Sequence, residues 1–222
     1  MRNLIIAIDG PSGAGKGTVA RAVAHALGYR HVDSGAMYRA LGWKAIQDGV
    51  SLDDEGSLET LAERSEIEIS TTNVTIDGAD VTRAIRTPEI DRAAAAVARI
   101  ERVRAVLVAR QRQLGVDGAI VMEGRDIGTV VFPHAEVKLY LDASPEERAR
   151  RRANDAAHSG GSTAIAEVAL ALTKRDELDR TRAASPLHAA ADAVFIDTTG
   201  KTIETVVDEV MTVIHGQLGR TG

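Results

Sequence analysis

Short apolar runs rich in β-branched residues punctuate the chain at Leu4 to Ile8, Tyr29 to Val32, Ala119 to Met122, Val137 to Leu141 and Ala193 to Ile196, with helix-like sequence between them. Continuous apolar runs of this length fit strands buried on both faces, and the intervening stretches fit crossover helices. The pattern therefore predicts an open α/β fold built on a five-stranded parallel sheet. Polar residues fall where the first four strands should stop, at Asp9, Asp33, Glu123 and Asp142. Ligands on such sheets gather at the carboxyl ends of the strands, so these residues are expected to floor a cleft.

One region breaks the alternation. Glu66 to Ser70, Val74 to Ile76 and Val81 read as short alternating strands, with a turn signal at Asp77-Gly78, and predict a small antiparallel insert. Thr87-Pro88-Glu89 then marks a helix start, and an alanine-rich helix and a basic helix extend to about Leu114. Ala156 to Thr163 is small and polar with a double glycine, a composition suited to a mobile flap.

The first apolar run leads directly into Gly10, Pro11, Ser12, Gly13, Ala14, Gly15, Lys16, Gly17 and Thr18. Glycines at 10, 13, 15 and 17 allow positive φ, which lets backbone N–H groups curl around phosphate oxygens. The following helix N-terminus adds its dipole, and Lys16 a positive charge. A phosphate-binding loop and a nucleoside triphosphate ligand are the expectation. The usual pattern places Ser or Thr directly after the lysine. Here that position is Gly17, and the hydroxyl comes one residue later at Thr18. Thr18 is the expected hydroxyl for a magnesium shell. Glu123, ending a buried strand, is placed like the acid that holds Mg2+ or its waters, unless it caps a helix or braces a loop.

Composition narrows the picture further. The 222 residues suffice for one substantial core, 44% of them are hydrophobic, and the net charge is −5. That balance argues against a nucleic-acid footprint, and 3% aromatic content leaves little for base-stacking platforms. There is no cysteine, so thiol chemistry and thiolate metal sites are excluded, and no apolar stretch approaches a membrane span. A cytoplasmic protein is expected, with no membrane and no nucleic-acid partner. Arginine outnumbers lysine 22 to 5, concentrated at Arg83 to Arg112 and Arg148 to Arg182. Most of these suit solvated helix faces, but a guanidinium fork also grips phosphate at two points without losing its proton.

Three further motifs join the loop: Asp33 to Arg39, Glu123 to Asp126 followed by Gly128 to Pro133, and Arg175 to Arg182. In this order, and over nearly the whole chain, they closely resemble the bacterial cytidylate kinases in their longer form. The resemblance implies a P-loop kinase fold with the antiparallel insert in the monophosphate-binding region and a mobile lid. It implies one domain over 1–222, with the insert at about 63–100 and the lid at about 150–182. The implied reaction is transfer of the ATP γ-phosphate to CMP or dCMP by a monomer, with Mg2+.

By position, the resemblance assigns Ser34, Arg39, Arg125 and Arg182 to the acceptor phosphate, and Asp179 with Arg175 to sugar hydroxyls. Arg104 and Asp126 would read the base. A guanidinium donates to the cytosine carbonyl and ring nitrogen, and a carboxylate accepts from the exocyclic amine. Arg148, Arg151 and Arg152 look like the lid arginines of this family and are expected on the ATP phosphates. Lys16, Arg125, Arg151 and Arg182 would stabilise the transferring phosphoryl group, whereas Arg150 falls on another helix face and meets solvent. Tyr38 and Trp43 border the acceptor site or pack in the core. The six histidines show no metal-ligand spacing and are expected at the surface or at helix ends. Ala95 departs from the family pattern, which carries a serine near the base, so one hydroxyl contact is expected to be absent.

Competing readings are a related small kinase for UMP, AMP or a non-nucleotide acid such as shikimate, and a regulatory nucleotide switch. The guanine signature Asn-Lys-x-Asp does not occur in the chain.

Overall fold

A computed structural model describes residues 3–155 and 165–220; the Ala156 to Thr163 flap segment therefore lies outside the described residues. The five apolar runs form strands β1 (Ile5–Asp9), β2 (Arg30–Asp33), β6 (Ile120–Glu123), β7 (Val137–Asp142) and β8 (Val194–Asp197). They make one parallel sheet in the order β2-β6-β1-β7-β8. Every residue of β6 is buried, as a strand covered by helices on both faces requires. The chain runs from β1 toward one edge of the sheet and from β6 toward the other, so the crevice opens at the carboxyl ends of β1 and β6.

Helix α1 (Lys16–Leu27) packs Val19, Ala20, Val23 and Ala24 on the sheet and stops at Gly28, whose φ is 67° and whose N–H closes the last turn. Helix α2 (Ser34–Gln47) starts on the side chain of Asp33, which accepts from the N–H of Ala36. After α3 (Glu55–Arg64), the insert forms as a three-stranded antiparallel sheet of β3 (Ile67–Ile69), β4 (Val74–Ile76) and β5 (Ala79–Asp80). Its tight turn has positive φ at both Asp77 (50°) and Gly78 (78°), the conformation that the Asp-Gly pair favours.

Helix α4 (Pro88–Val97) begins where the sequence predicts, with Thr87 capping and Pro88 in the first turn, and α5 (Glu101–Leu114) follows. A side chain at Gly42 of α2 would press on Ala93 of α4, so small residues set the close approach of these two helices. Helix α6 (Pro145–Ala153) packs on α7 (Ile165–Thr181) through Ala149, Ala153, Val168 and Leu172. Helix α8 (Ile203–Arg220) closes the core through Val206, Val210 and Ile214. Among the described residues no helix is long and apolar enough to cross a membrane.

A π-helical turn at Ile127–Val131 was not legible in the sequence. Its first two N–H groups, at Ile127 and Gly128, donate to the Asp9 carboxylate at 2.8 and 2.7 Å. Asp9 therefore ties the end of β1 to the segment that follows β6.

Candidate active site

The phosphate loop lies between β1 and α1, as its sequence context predicts. Gly10, Gly13 and Gly15 have φ of 144°, 81° and 88°. Gly17 is helical instead, which corrects the expectation that its freedom is used for positive φ. A Cβ at this position would lie 3.0 Å from Oε1 of Glu123, so glycine admits the carboxylate against the first turn of α1. A serine or threonine there would occupy the same space.

Lys16 is buried and donates to the Pro11 carbonyl at 2.7 Å. Burial, and then the facing charge of Arg125, push its pKa down to about 7. Two cations turned toward one buried space disfavour each other unless an anion enters. On the same wall, Glu123 accepts at 3.0 Å from His31, which is 3% exposed. This corrects the placement of every histidine at the surface or at helix ends. The place of His31 in an apolar strand run two residues before Asp33 hinted at burial, but nothing in the order of residues named Glu123 as its partner. Thr18 is exposed to the cleft.

A cavity of about 740 Å³ opens above these residues. All of the site residues singled out from the sequence line it except Gly10, Pro11 and Arg148. Ser12, Gly13, Ala14, Gly15, Lys16, Gly17 and Thr18 form the donor wall. Ser34, Tyr38, Arg39, Arg104, Arg125, Asp126, Asp179 and Arg182 form the acceptor wall, and Arg151, Arg152 and Arg175 lie along the remaining side.

Arg148 is placed beneath the loop, not over it. Its guanidinium donates to the Ser12 carbonyl at 3.2 Å, to the Ala143 carbonyl at 3.1 Å and to Asp176. It braces the loop from below, a position set by packing and one that the spacing of α6 alone does not distinguish. Arg151 is anchored by Glu147 and by the hydroxyl and carbonyl of Thr198, at 2.7 to 2.9 Å. Arg150 pairs with Glu147 at 2.7 Å and its side chain is 58% exposed. Trp43 packs with the insert cluster.

The acceptor wall is a lattice of alternating charge. Arg39 meets Asp33 at 2.6 Å, Arg125 meets Asp179 at 3.0 Å, and Arg104 pairs with Asp126 while lying 5.4 Å from the centre of the Tyr38 ring. Arg182 lies 3.8 Å from both Asp126 and Asp179 and donates to the Ser185 carbonyl at 2.6 Å. Ser34 donates to the Glu123 carbonyl at 2.7 Å. Burial alone would raise the pKa of Asp33, but Arg39, Arg86 and His31 outweigh it and hold the carboxyl far below its usual range. Arg86, 3.4 Å from Asp33, is a cleft arginine not singled out from the sequence.

Nε of Arg39, Nε of Arg104, Nε of Arg175 and Nη2 of Arg182 are buried donors with no hydrogen-bond partner. Unsatisfied buried donors are costly, and all four belong to arginines that line the cavity, a concentration of cationic side chains that fits an anionic ligand.

One anion held on backbone amides and a second held by guanidinium groups across the same cleft are what phosphoryl transfer requires; the fold and the cleft define a P-loop phosphotransferase. Residues 6–216 match the cytidylate kinase family. The chain is 46% identical to the cytidylate kinase of Desulfitobacterium hafniense, over 98% of this chain and 95% of that one. It is 48% identical to the cytidylate kinase of Pelotomaculum thermopropionicum, over 93% of each. A gluconokinase from Sinorhizobium meliloti shares the fold, with a TM-score of 0.50 at 15% identity over 99% of this chain and 93% of that one. The chain belongs to the cytidylate kinase family, whose members are ATP-dependent phosphotransferases acting on nucleotides.

Proposed function

We propose that the chain transfers the γ-phosphate of ATP to CMP or dCMP, with Mg2+, as a monomer. The observation that carries this reading is one cavity lined both by the phosphate loop with Lys16 and by the arginines Arg39, Arg104, Arg125, Arg175 and Arg182. Phosphoryl transfer needs alignment, charge neutralisation and exclusion of water more than covalent help. ATP lies on the loop with its phosphates against Lys16. An acceptor phosphate oxygen, already anionic, attacks in line, so no general base is needed. Lys16, Arg125, Arg151 and Arg182 meet the charge that spreads over the equatorial oxygens.

Arg104 and Asp126 form one buried pair on the acceptor wall, 4% and 7% exposed; the guanidinium would donate to the cytosine carbonyl and ring nitrogen and the carboxylate would accept from the exocyclic amine. Uracil would turn a carbonyl oxygen toward the carboxylate. Asp179 and Arg175 take the sugar. Ala95 lines the cavity without a hydroxyl to offer.

The residues present fit magnesium. Among the described residues no cluster of three His, Cys, Asp or Glu side chains forms a self-sufficient metal cage. One buried carboxylate, Glu123, and one cleft hydroxyl, Thr18, are the sparse protein set typical of an ion held mainly by phosphate oxygens and water. When bound, the ion supplies further neutralisation of phosphate charge. His31 holds Glu123 from behind.

Coupled detection of ADP across CMP, dCMP, UMP, AMP and shikimate tests the proposal. Turnover is expected with CMP and dCMP. A preference for UMP would overturn the base-reading roles of Arg104 and Asp126, and slow ATP hydrolysis unaffected by any acceptor would point instead to a nucleotide switch.

A further inference from the structure

Asp91 lies in the first turn of α4, on the acceptor side of the molecule, and does not itself line the cavity. Its carboxylate forms ion pairs with two guanidinium groups from two other helices. Arg152 of α6 donates to Oδ2, and Nη1 of Arg175 of α7 lies 3.1 Å from Oδ1. The three side chains are 14%, 19% and 20% exposed, so solvent screens the pairs only in part. Both arginines line the cavity; their carboxylate partner stands behind them.

We propose that Asp91 is a positioning residue that bridges α4 to the α6–α7 pair and aims Arg152 and Arg175 at the phosphates and sugar of the bound nucleotides. The inference rests on the kinase reading given above, and three observations support it.

First, like charge is concentrated here. Burial disfavours the charged form of Arg152, Arg175 and Arg39 add repulsion, and Asp91 is the strongest opposing influence. Without a shared carboxylate, neighbouring guanidinium groups on separate helices repel and separate. Second, α6 and α7 are joined by a small apolar cluster of Ala149, Ala153, Val168 and Leu172. An ion pair on either helix therefore restrains both. Third, α4 is fixed to α2 by the close approach of Ala93 to Gly42, and α2 carries Arg39. The bridge thus registers the α6–α7 arginines against the acceptor wall. A carboxylate in the first turn of a helix is also favoured by the helix dipole.

Two measurements on the full chain test this. The chain has no cysteine, so Glu89→Cys on α4 and Leu170→Cys on α7, both exposed, provide two unique sites for nitroxide labels. Pulsed dipolar spectroscopy then reads the α4–α7 separation in nucleotide-free protein. Asp91→Asn is expected to broaden the separation and to lower kcat with CMP on the order of tenfold, the scale set by misplaced positioning groups. The thermal midpoint should barely move, and Asp91→Glu should restore most of kcat and the narrow separation. Wild-type kcat in Asp91→Asn would overturn the inference. So would a loss of kcat at unchanged separation, or a loss shared by Asp91→Glu and accompanied by a lowered midpoint. Failure of the wild-type chain to phosphorylate CMP would overturn the kinase reading instead, because the separation reports on the bridge without turnover.

Discussion

Lys16 is a buried cation whose pKa is pushed down to about 7 by desolvation and by Arg125, and triphosphate oxygens would reverse that shift. Well below pH 7 the amine is charged in both states and adds no pH dependence to ATP affinity. As pH rises above 7, binding must also protonate the amine, so affinity falls. Titration calorimetry at about pH 7.5 in buffers of different ionisation enthalpy should show proton uptake on ATP binding, absent in Lys16→Met. Zero uptake in the wild-type protein would mean that the lysine is already charged when free.

The acceptor arginines give a second residue-scale prediction. Hydrogen bonds to charged groups are worth about 1.5 to 3 kcal/mol, so Arg39→Ala and Arg182→Ala should each lower kcat/KM for CMP roughly ten- to hundredfold. ATP affinity should survive, because neither side chain belongs to the donor wall. Steady-state kinetics with each substrate varied would separate the two effects, and unchanged acceptor kinetics in both variants would remove them from the acceptor site. These arginines were legible because they sit in contiguous motifs. Arg86 and His31 were not, since each stands alone in sequence and gains its role only from a partner brought close by the fold, Asp33 for one and Glu123 for the other.

At the scale of elements, the π-helical turn depends on Asp9. Burial raises this carboxyl, two backbone N–H bonds oppose the rise, and the outcome is a pKa of about 6 against 3.8 for the free group. The folded chain therefore holds the proton more tightly than the unfolded chain. Asp9 contributes stability that is fully present below about pH 4 and is lost as pH rises through 6, by up to about 3 kcal/mol. Urea unfolding from pH 4 to 7 should show this loss in the wild-type protein relative to Asp9→Asn. Parallel profiles for the two proteins would refute it.

Helix α7 makes a related point about legibility. Its buried stripe begins as apolar Val168 and Leu172 and continues as Asp176 and Asp179, which meet Arg148 and Arg125. Hydrophobic periodicity cannot announce a helix whose inner face turns acidic halfway along, whereas α4 advertised itself through Thr87 and Pro88.

For the whole molecule, the cleft matters as one space with two anion sites. Adenosine and cytidine joined through five phosphates should bind at least tenfold more tightly than either ATP or CMP, because the second contact becomes intramolecular. Calorimetric titration would measure this, and affinity no better than that of ATP alone would show that the two sites do not face each other.

The sequence by itself determined the parallel sheet, the antiparallel insert, the phosphate loop and the family motifs. These are local: strand runs, turn residues and loop spacing act within a few positions, where steric and periodic rules apply directly. Tertiary structure alone decided that Arg148 braces the loop from below, that Gly17 makes room for Glu123, that His31 is buried behind that carboxylate, and that Asp91 gathers arginines from two helices. A charged side chain can choose among many partners along a chain this rich in arginine. Only packing sets which of them lie within hydrogen-bonding reach, and short-range polar contact, unlike periodicity, leaves no repeating trace in the order of residues.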